Sequence, residues 1–168
     1  MQMNNKFITN KIVSITNKRH NKITDIMHKY SKHLISFAIE NNCNTIIIGN
    51  NKDWKRECPL SKRVNQNFVN IPHQRFIEMI QYKCENVGIN CILTEESYTS
   101  GTSFLDQELP IKQHYNKKRR IKRGLFKSND GTLINSDVNG AYQIIKKVVP
   151  NAFADGIEGV VLHPVRVG

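Results

Sequence analysis

The sequence predicts an α/β protein with a parallel strand pair. Stretches with apolar residues on one helical face alternate with short β-branched runs, and the order along the chain is helix, strand, helix, strand. An Asp-Gly pair between two short apolar segments adds a hairpin further along.

The first forty residues read as helix. Ile23, Ile26, Met27, Tyr30, Leu34, Phe37 and Ala38 share one face, with Lys22, Asp25, Lys29 and Lys32 opposite. The stretch from Lys6 to Arg19 is basic and weakly patterned, and reads as a separate short helix or an extended arm. Thr45-Ile46-Ile47-Ile48-Gly49 has the length of a buried strand and is too short for a helix. A polar loop over 50–70 then holds Trp54, Lys55, Arg56, Lys62 and Arg63. From Ile71 to Gly88 the helical pattern returns, with Phe76, Ile77, Ile80, Cys84 and Val87 on one face. Pro72 suits its first turn and Gly88 its C-terminal stop. Residues Ile89 to Thr94 form a second buried strand, and Glu95 and Glu96 follow at its C-terminal end, where open α/β sheets form their sites.

Residues 100–121 break this rhythm with polar loop sequence. Lys117-Lys118-Arg119-Arg120-Ile121-Lys122-Arg123 then places six basic residues in seven. Gly124-Leu125-Phe126-Lys127 and Thr132-Leu133-Ile134-Asn135 flank Ser128-Asn129-Asp130-Gly131 as a hairpin. A last helix starts near Asp137, with Val138, Ala141, Ile144, Ile145 and Val148 on one face, and stops before Pro150. The tail from Asn151 to Gly168 reads as ordered but irregular.

At 168 residues and 39% hydrophobic content the chain can bury a sizeable core. No apolar run approaches the roughly 20 residues of a membrane span. No apolar signal core follows the basic N-terminus, so a cytoplasmic protein with access to DNA is expected, not a secreted one. Cys43, Cys58, Cys84 and Cys91 form no C-x-x-C pair and are expected as free thiols. The net charge of +11 points to nucleic acid, because each phosphate neutralised by Lys or Arg releases a counterion. The plainer alternative is a solvated basic surface.

Three carboxylates stand where chemistry is possible: Glu95 and Glu96 at a strand end, and Asp137 at a helix start. Carboxylates converging in a basic protein suit Mg²⁺-assisted phosphodiester chemistry, since a hard cation prefers oxygen ligands. The alternatives are a helix cap for Asp137 and a solvated strand end for the glutamates.

Tyr98-Thr99-Ser100 after a buried strand, a variable insert, and Asp137-Val138-Asn139-Gly140-Ala141 opening a helix resemble the C-terminal half of the TnpB/OrfB family. These are proteins of insertion-sequence transposons and relatives of type V CRISPR effectors. The segments 46–55, 65–68, Ile71-Pro72 and Arg123-Gly124-Leu125-Phe126 extend the resemblance over nearly the whole chain. It implies a partial RNase H-like (RuvC) fold and an RNA-guided, transposase-associated DNA endonuclease. Such sites hold Mg²⁺ through an Asp on the first strand, a Glu and a final Asp. Asp137 matches the final Asp, while the usual glutamate position is Gly49. One group within the family moves that glutamate to the next strand, just ahead of Tyr-Thr-Ser, where Glu96 stands, with Glu95 as the alternative. Parallel neighbours lie about 4.8 Å apart, so a side chain from the next strand can reach the same ion. Glu96 and Asp137 are thus the expected catalytic and metal-holding pair.

The resemblance also exposes departures. Ser103 occupies the place of the first cysteine of the family's zinc ribbon and no cysteine follows Cys91, so no zinc is expected. The basic run and the 124–135 hairpin are expected to replace the ribbon. The expected nucleic-acid contacts are Lys52, Lys55, Arg56, Lys62, Arg63, Lys117, Lys118, Arg119, Arg120, Lys122 and Arg123, with Trp54 either stacking on a base or packing on the core. None of Asp25, Glu40 and Asp53 fits the first-strand aspartate. The chain therefore reads as the C-terminal part of a longer protein, with DNA, a guide RNA and a missing N-terminal half as partners. It is expected not to cleave alone. A non-catalytic nucleic-acid-binding module and a decayed transposon remnant are the alternatives. On this reading 1–20 is a basic N-terminal helix or arm, 21–99 the RuvC-like part, 100–135 the basic insert and hairpin, and 136–168 the final helix and tail.

Overall fold

The computed structural model describes residues 9–50, 72–157 and 159–164. Lys52, Lys55, Arg56, Lys62 and Arg63, together with Trp54 and Cys58, lie outside the described residues. Helix α1 spans Asn10–Glu40, and Thr9 caps it by accepting the Ile12 amide at 3.3 Å. It runs unbroken through residue 20, so residues 10–19 of the basic stretch belong to this one helix and do not form a separate one. Strand β1 is Thr45–Gly49, α2 is His73–Val87 and β2 is Asn90–Thr94. Pro72 sits at the cap of α2, just outside its first turn, and Gly88 ends it in the left-handed conformation at φ 74°. Asn90 N–H donates to Asn44 O at 2.9 Å and Asn50 N–H to Thr94 O at 2.7 Å. Start pairs with start and end with end, so β1 and β2 run parallel, as expected.

The chain groups into two compact units whose boundaries fall inside these two strands, between Ile46 and Ile47 and between Cys91 and Ile92. The first is a helix pair. Met27, Ile35 and Ala38 of α1 and Met79, Ile80 and Cys84 of α2 are buried. This stripe is rotated from the expected one: Ile26, Tyr30 and Phe37 are exposed, while Ser31 and Ile35 are covered. The cause is a polar clamp that hydropathy does not register. Ser31 Oγ donates to Met27 O at 2.6 Å and accepts from Lys83 Nζ at 2.7 Å, and the same ammonium reaches His28 O at 2.9 Å. On α2, Val87 is exposed and Met79 takes a buried place instead.

In the second unit, β3 (Arg120–Lys122), β4 (Leu125–Lys127) and β5 (Leu133–Asn135) form an antiparallel sheet, followed by α3 (Ser136–Val148). The expected hairpin is β4–β5, with Phe126 opposite Ile134 and both fully buried. Its turn is closed by Asp130, which accepts from the Ser128 hydroxyl and, at 2.9 Å each, from the amide and hydroxyl of Thr132. The strand β3 inside the basic run was not expected. It turns back onto β4 through Gly124, whose φ of 76° suits a residue without a Cβ. α3 also differs from expectation, because the side chains it buries completely are polar: Asn139 and Gln143 are covered and Ala141 is exposed. Phe104 stacks on Tyr142 at 4.4 Å and meets Phe153 of the tail at 4.7 Å. Among the described residues no helix is long and apolar enough to cross a membrane.

Candidate metal centre

Every described candidate carboxylate lies in the second unit. Glu96 leaves the end of β2 and its side chain lies over Gly49 at the end of β1. A Cβ on residue 49 would stand 2.7 Å from Glu96 Cγ and 2.9 Å from Glu96 Oε1, closer than atoms pack. The same Cβ would be 2.7 Å from Ile144 Cδ1, on α3. Glycine at 49 is therefore the residue that lets the glutamate of the neighbouring strand occupy this space.

Asp137 stands in the first turn of α3, seven residues before Ile144 and on the same side of the helix, about 10 Å away along the axis. It does not cap the helix. Asn135 does, accepting the amides of Asp137 at 2.9 Å and Val138 at 3.2 Å, which leaves the Asp137 carboxylate exposed and uncommitted. Among the described residues, neither Glu96 nor Asp137 has its carboxylate in a hydrogen bond or ion pair.

Glu95 is placed differently. Its carboxylate accepts from Lys147 Nζ at 2.7 Å and from the Ser97 amide at 2.8 Å, and these bonds hold its pKa down to about 2. That carboxylate is used within the unit. Lys147 is a residue the sequence reading missed, since its partner is 52 positions away and no local pattern marks it.

Further hydrogen bonds order the loop carrying Glu96 and tie it to the helix carrying Asp137. Thr99 Oγ1 donates to Glu96 O at 2.8 Å, fixing the turn after the glutamate, and Thr102 Oγ1 donates to Tyr98 O at 2.9 Å. Asn139 then grips that loop: its Nδ2 donates to Thr102 O at 2.9 Å and its Oδ1 accepts from Phe104 N at 2.9 Å, all in the interior. Asn139 was part of the motif that carried the resemblance, and this tie is the physical work it performs.

Of the basic run, Lys117, Lys118, Arg120, Lys122 and Arg123 are exposed. Arg119 is engaged by partners within the unit. Its guanidinium meets Glu108 at 2.6 Å, Asp106 at 3.8 Å and Asn129 Oδ1 at 2.6 Å. Burial pushes the Glu108 carboxyl up, but the Arg119 guanidinium and the Ser103 amide outweigh it and hold the pKa below the usual range. Ser103, at the ribbon cysteine's place, accordingly sits in a polar network: its amide binds Glu108 at 2.8 Å and its hydroxyl accepts the Asp106 amide at 3.2 Å.

A family model described as the Cas12f1-like TNB domain matches residues 73–144. No curated protein sequence matches the chain. Among solved structures, the cryo-EM structure of a Cas12f1–sgRNA–target DNA complex is similar in fold, with a TM-score of 0.62 and 21% identity over 80% of this chain. The chain spans 36% of the length of that relative. Residues 73–144 thus resemble the Cas12f1-like TNB domain, and the chain shares its fold with the Cas12f1 structure.

Proposed function

We propose that this chain is the RuvC-like portion, with a partial RNase H-like fold, of a transposon-encoded RNA-guided DNA endonuclease. Glu96 and Asp137 supply two of its metal-holding carboxylates. The observation that carries this reading is the Glu96 side chain lying over Gly49: the position where the family resemblance calls for a glutamate is filled by one from the next strand. Both carboxylates are free of internal partners among the described residues, which suits a divalent cation. When bound, Mg²⁺ would activate water and stabilise the leaving oxygen of a phosphodiester. The chain's own contribution is positional. Thr99 and Asn139 hold the Glu96 loop against the helix that presents Asp137, and Asn135 relieves Asp137 of the capping role.

Lys117, Lys118, Arg120, Lys122 and Arg123 contact nucleic acid in this reading, and the partners are a guide RNA and target DNA, as in the Cas12f1 complex. In this reading the Ser103–Glu108–Arg119 network takes over the part of the zinc ribbon. Two carboxylates without a third hold Mg²⁺ loosely, so the 168 residues alone bind without cleaving. Mn²⁺ added to the isotope-labelled protein tests the site by paramagnetic broadening. Broadening is expected at Gly49, at 96–99 and at 136–139, and to vanish in Glu96→Gln and in Asp137→Asn. Broadening confined to other residues would sink the assignment. Mg²⁺-dependent nicking by the purified chain, abolished by Asp137→Ala, would overturn the inactivity.

A further inference from the structure

We infer that Tyr98 and Tyr115 form a stacking site for an unpaired base of a single-stranded nucleic acid, beside Glu96. The inference rests on the nucleic-acid reading above and names what the site grips. Both rings are 39% exposed, and neither hydroxyl makes a hydrogen bond among the described residues. They meet nearly perpendicular, at 72° and 5.8 Å between centroids, which leaves ring faces uncovered by each other.

Their positions are built, not incidental. Tyr98 adopts φ 64°, a left-handed conformation uncommon for a bulky residue and concentrated at functional sites. Two threonines hold it there: Thr99 bonds back to Glu96 O, and Thr102 bonds to Tyr98 O. Tyr115 lies on the backbone of Gly101, where any Cβ would fall 2.5 to 3.0 Å from three of its ring carbons. The Asn116 amide donates to Gly101 O at 2.9 Å and pins that contact. Two rings ordered in advance lose little freedom on binding.

The surroundings suit a strand. Tyr98 is two residues from Glu96, so their Cα atoms are at most about 7 Å apart. That is one to two steps of a stacked strand, at about 3.4 Å each. Exposed Lys117 and Lys118 follow Tyr115 after one residue, Asn116, and can take the flanking phosphates. Aromatic faces interleaved with lysines bind single strands with little sequence preference, because every base has a face to stack. A paired base inside a duplex does not offer that face.

The test is fluorescence anisotropy of the whole chain with a labelled mixed-sequence single strand and, separately, its duplex, in chelator and across a salt series. Tyr98→Gly removes the ring and keeps the left-handed backbone. It is expected to weaken single-strand binding about tenfold, with duplex binding within about twofold and the salt slope unchanged, since no charge is lost. Tyr98→Phe should bind as the parent does. Equal loss on both nucleic acids, or unchanged single-strand binding in Tyr98→Gly, overturns the stacking site and leaves the nuclease reading standing. If the parent chain binds neither nucleic acid, that reading falls too. Photo-crosslinking of the parent chain to a 5-iodouracil single strand should place adducts on Tyr98 or Tyr115, and adducts only elsewhere would count against it.

Discussion

The two units are held together by different physics. In the first, apolar side chains of α1 and α2 (Met27, Ile35, Met79, Ile80) fill the contact, and one Ser31–Lys83 clamp adjusts it. In the second, fully buried polar side chains do comparable work: Asn139 and Gln143 bind backbone groups of a loop 35 residues away. Apolar packing tolerates exchange of one shape for another of equal volume, whereas a buried amide is tied to its partners atom by atom. The second arrangement is the more exacting, and it is the one that carries the candidate site.

Matched substitutions test this contrast most directly. Asn139→Leu orphans the Phe104 amide and the Thr102 carbonyl, and should cost about 3 kcal/mol in urea denaturation. Met79→Leu in the first unit, a volume-conserving change, should cost under about 1.5 kcal/mol. If the two cost the same, the distinction is wrong. Gly49→Ala comes next. Its Cβ displaces the ends of Glu96 and Ile144, so about 1–2 kcal/mol is expected, along with a change in the Mn²⁺ broadening at 96–99.

Arg119→Met sharpens the picture of the polar network. It leaves Glu108 and Asp106 without their counter-charge, at a cost of about 1–2 kcal/mol. Chelator should leave the parent's thermal midpoint unchanged. The smallest effect is in acid. The Glu95 pKa is held at about 2 against an ordinary 4.5, so the pair with Lys147 stabilises fully above pH 4.5 and is lost as pH falls toward 2. The Glu95 side chain is 62% exposed, so the difference between the parent and Lys147→Met should be under about 1 kcal/mol at neutral pH and vanish near pH 2. A difference that persists at pH 2 would assign Lys147 a role other than this pair.

What was legible in the sequence was local. The β-branched run at 45–49, the stop at Gly88 and the Asp-Gly hairpin each carry their signal within a few residues, and each stands where expected. The buried face of α3 was not legible, because Asn139 and Gln143 look like solvent-facing residues until Thr102, Phe104 and Glu108 are brought to them. Strand β3 hid within a run dominated by charge. On α1, the apolar residues Ile26, Tyr30 and Phe37 set an apparent periodicity that Ser31 and its lysine partner override. At the site, the resemblance points to Glu96 over Glu95. What only the fold supplied was the reason the two adjacent glutamates differ: one is neutralised by Lys147, the other rests on Gly49.

The small sheet has one last property. One of its outer strands, β5, gives its Asn135 amide to Leu162 of the tail and is thereby occupied. The other, β3, is left with exposed Arg120 and Lys122 along its rim. Like charges repel a second copy that would add its own strand there, so the cationic residues guard against self-association. Neutralising them would remove that guard, and such variants should precipitate at concentrations where the parent stays dispersed.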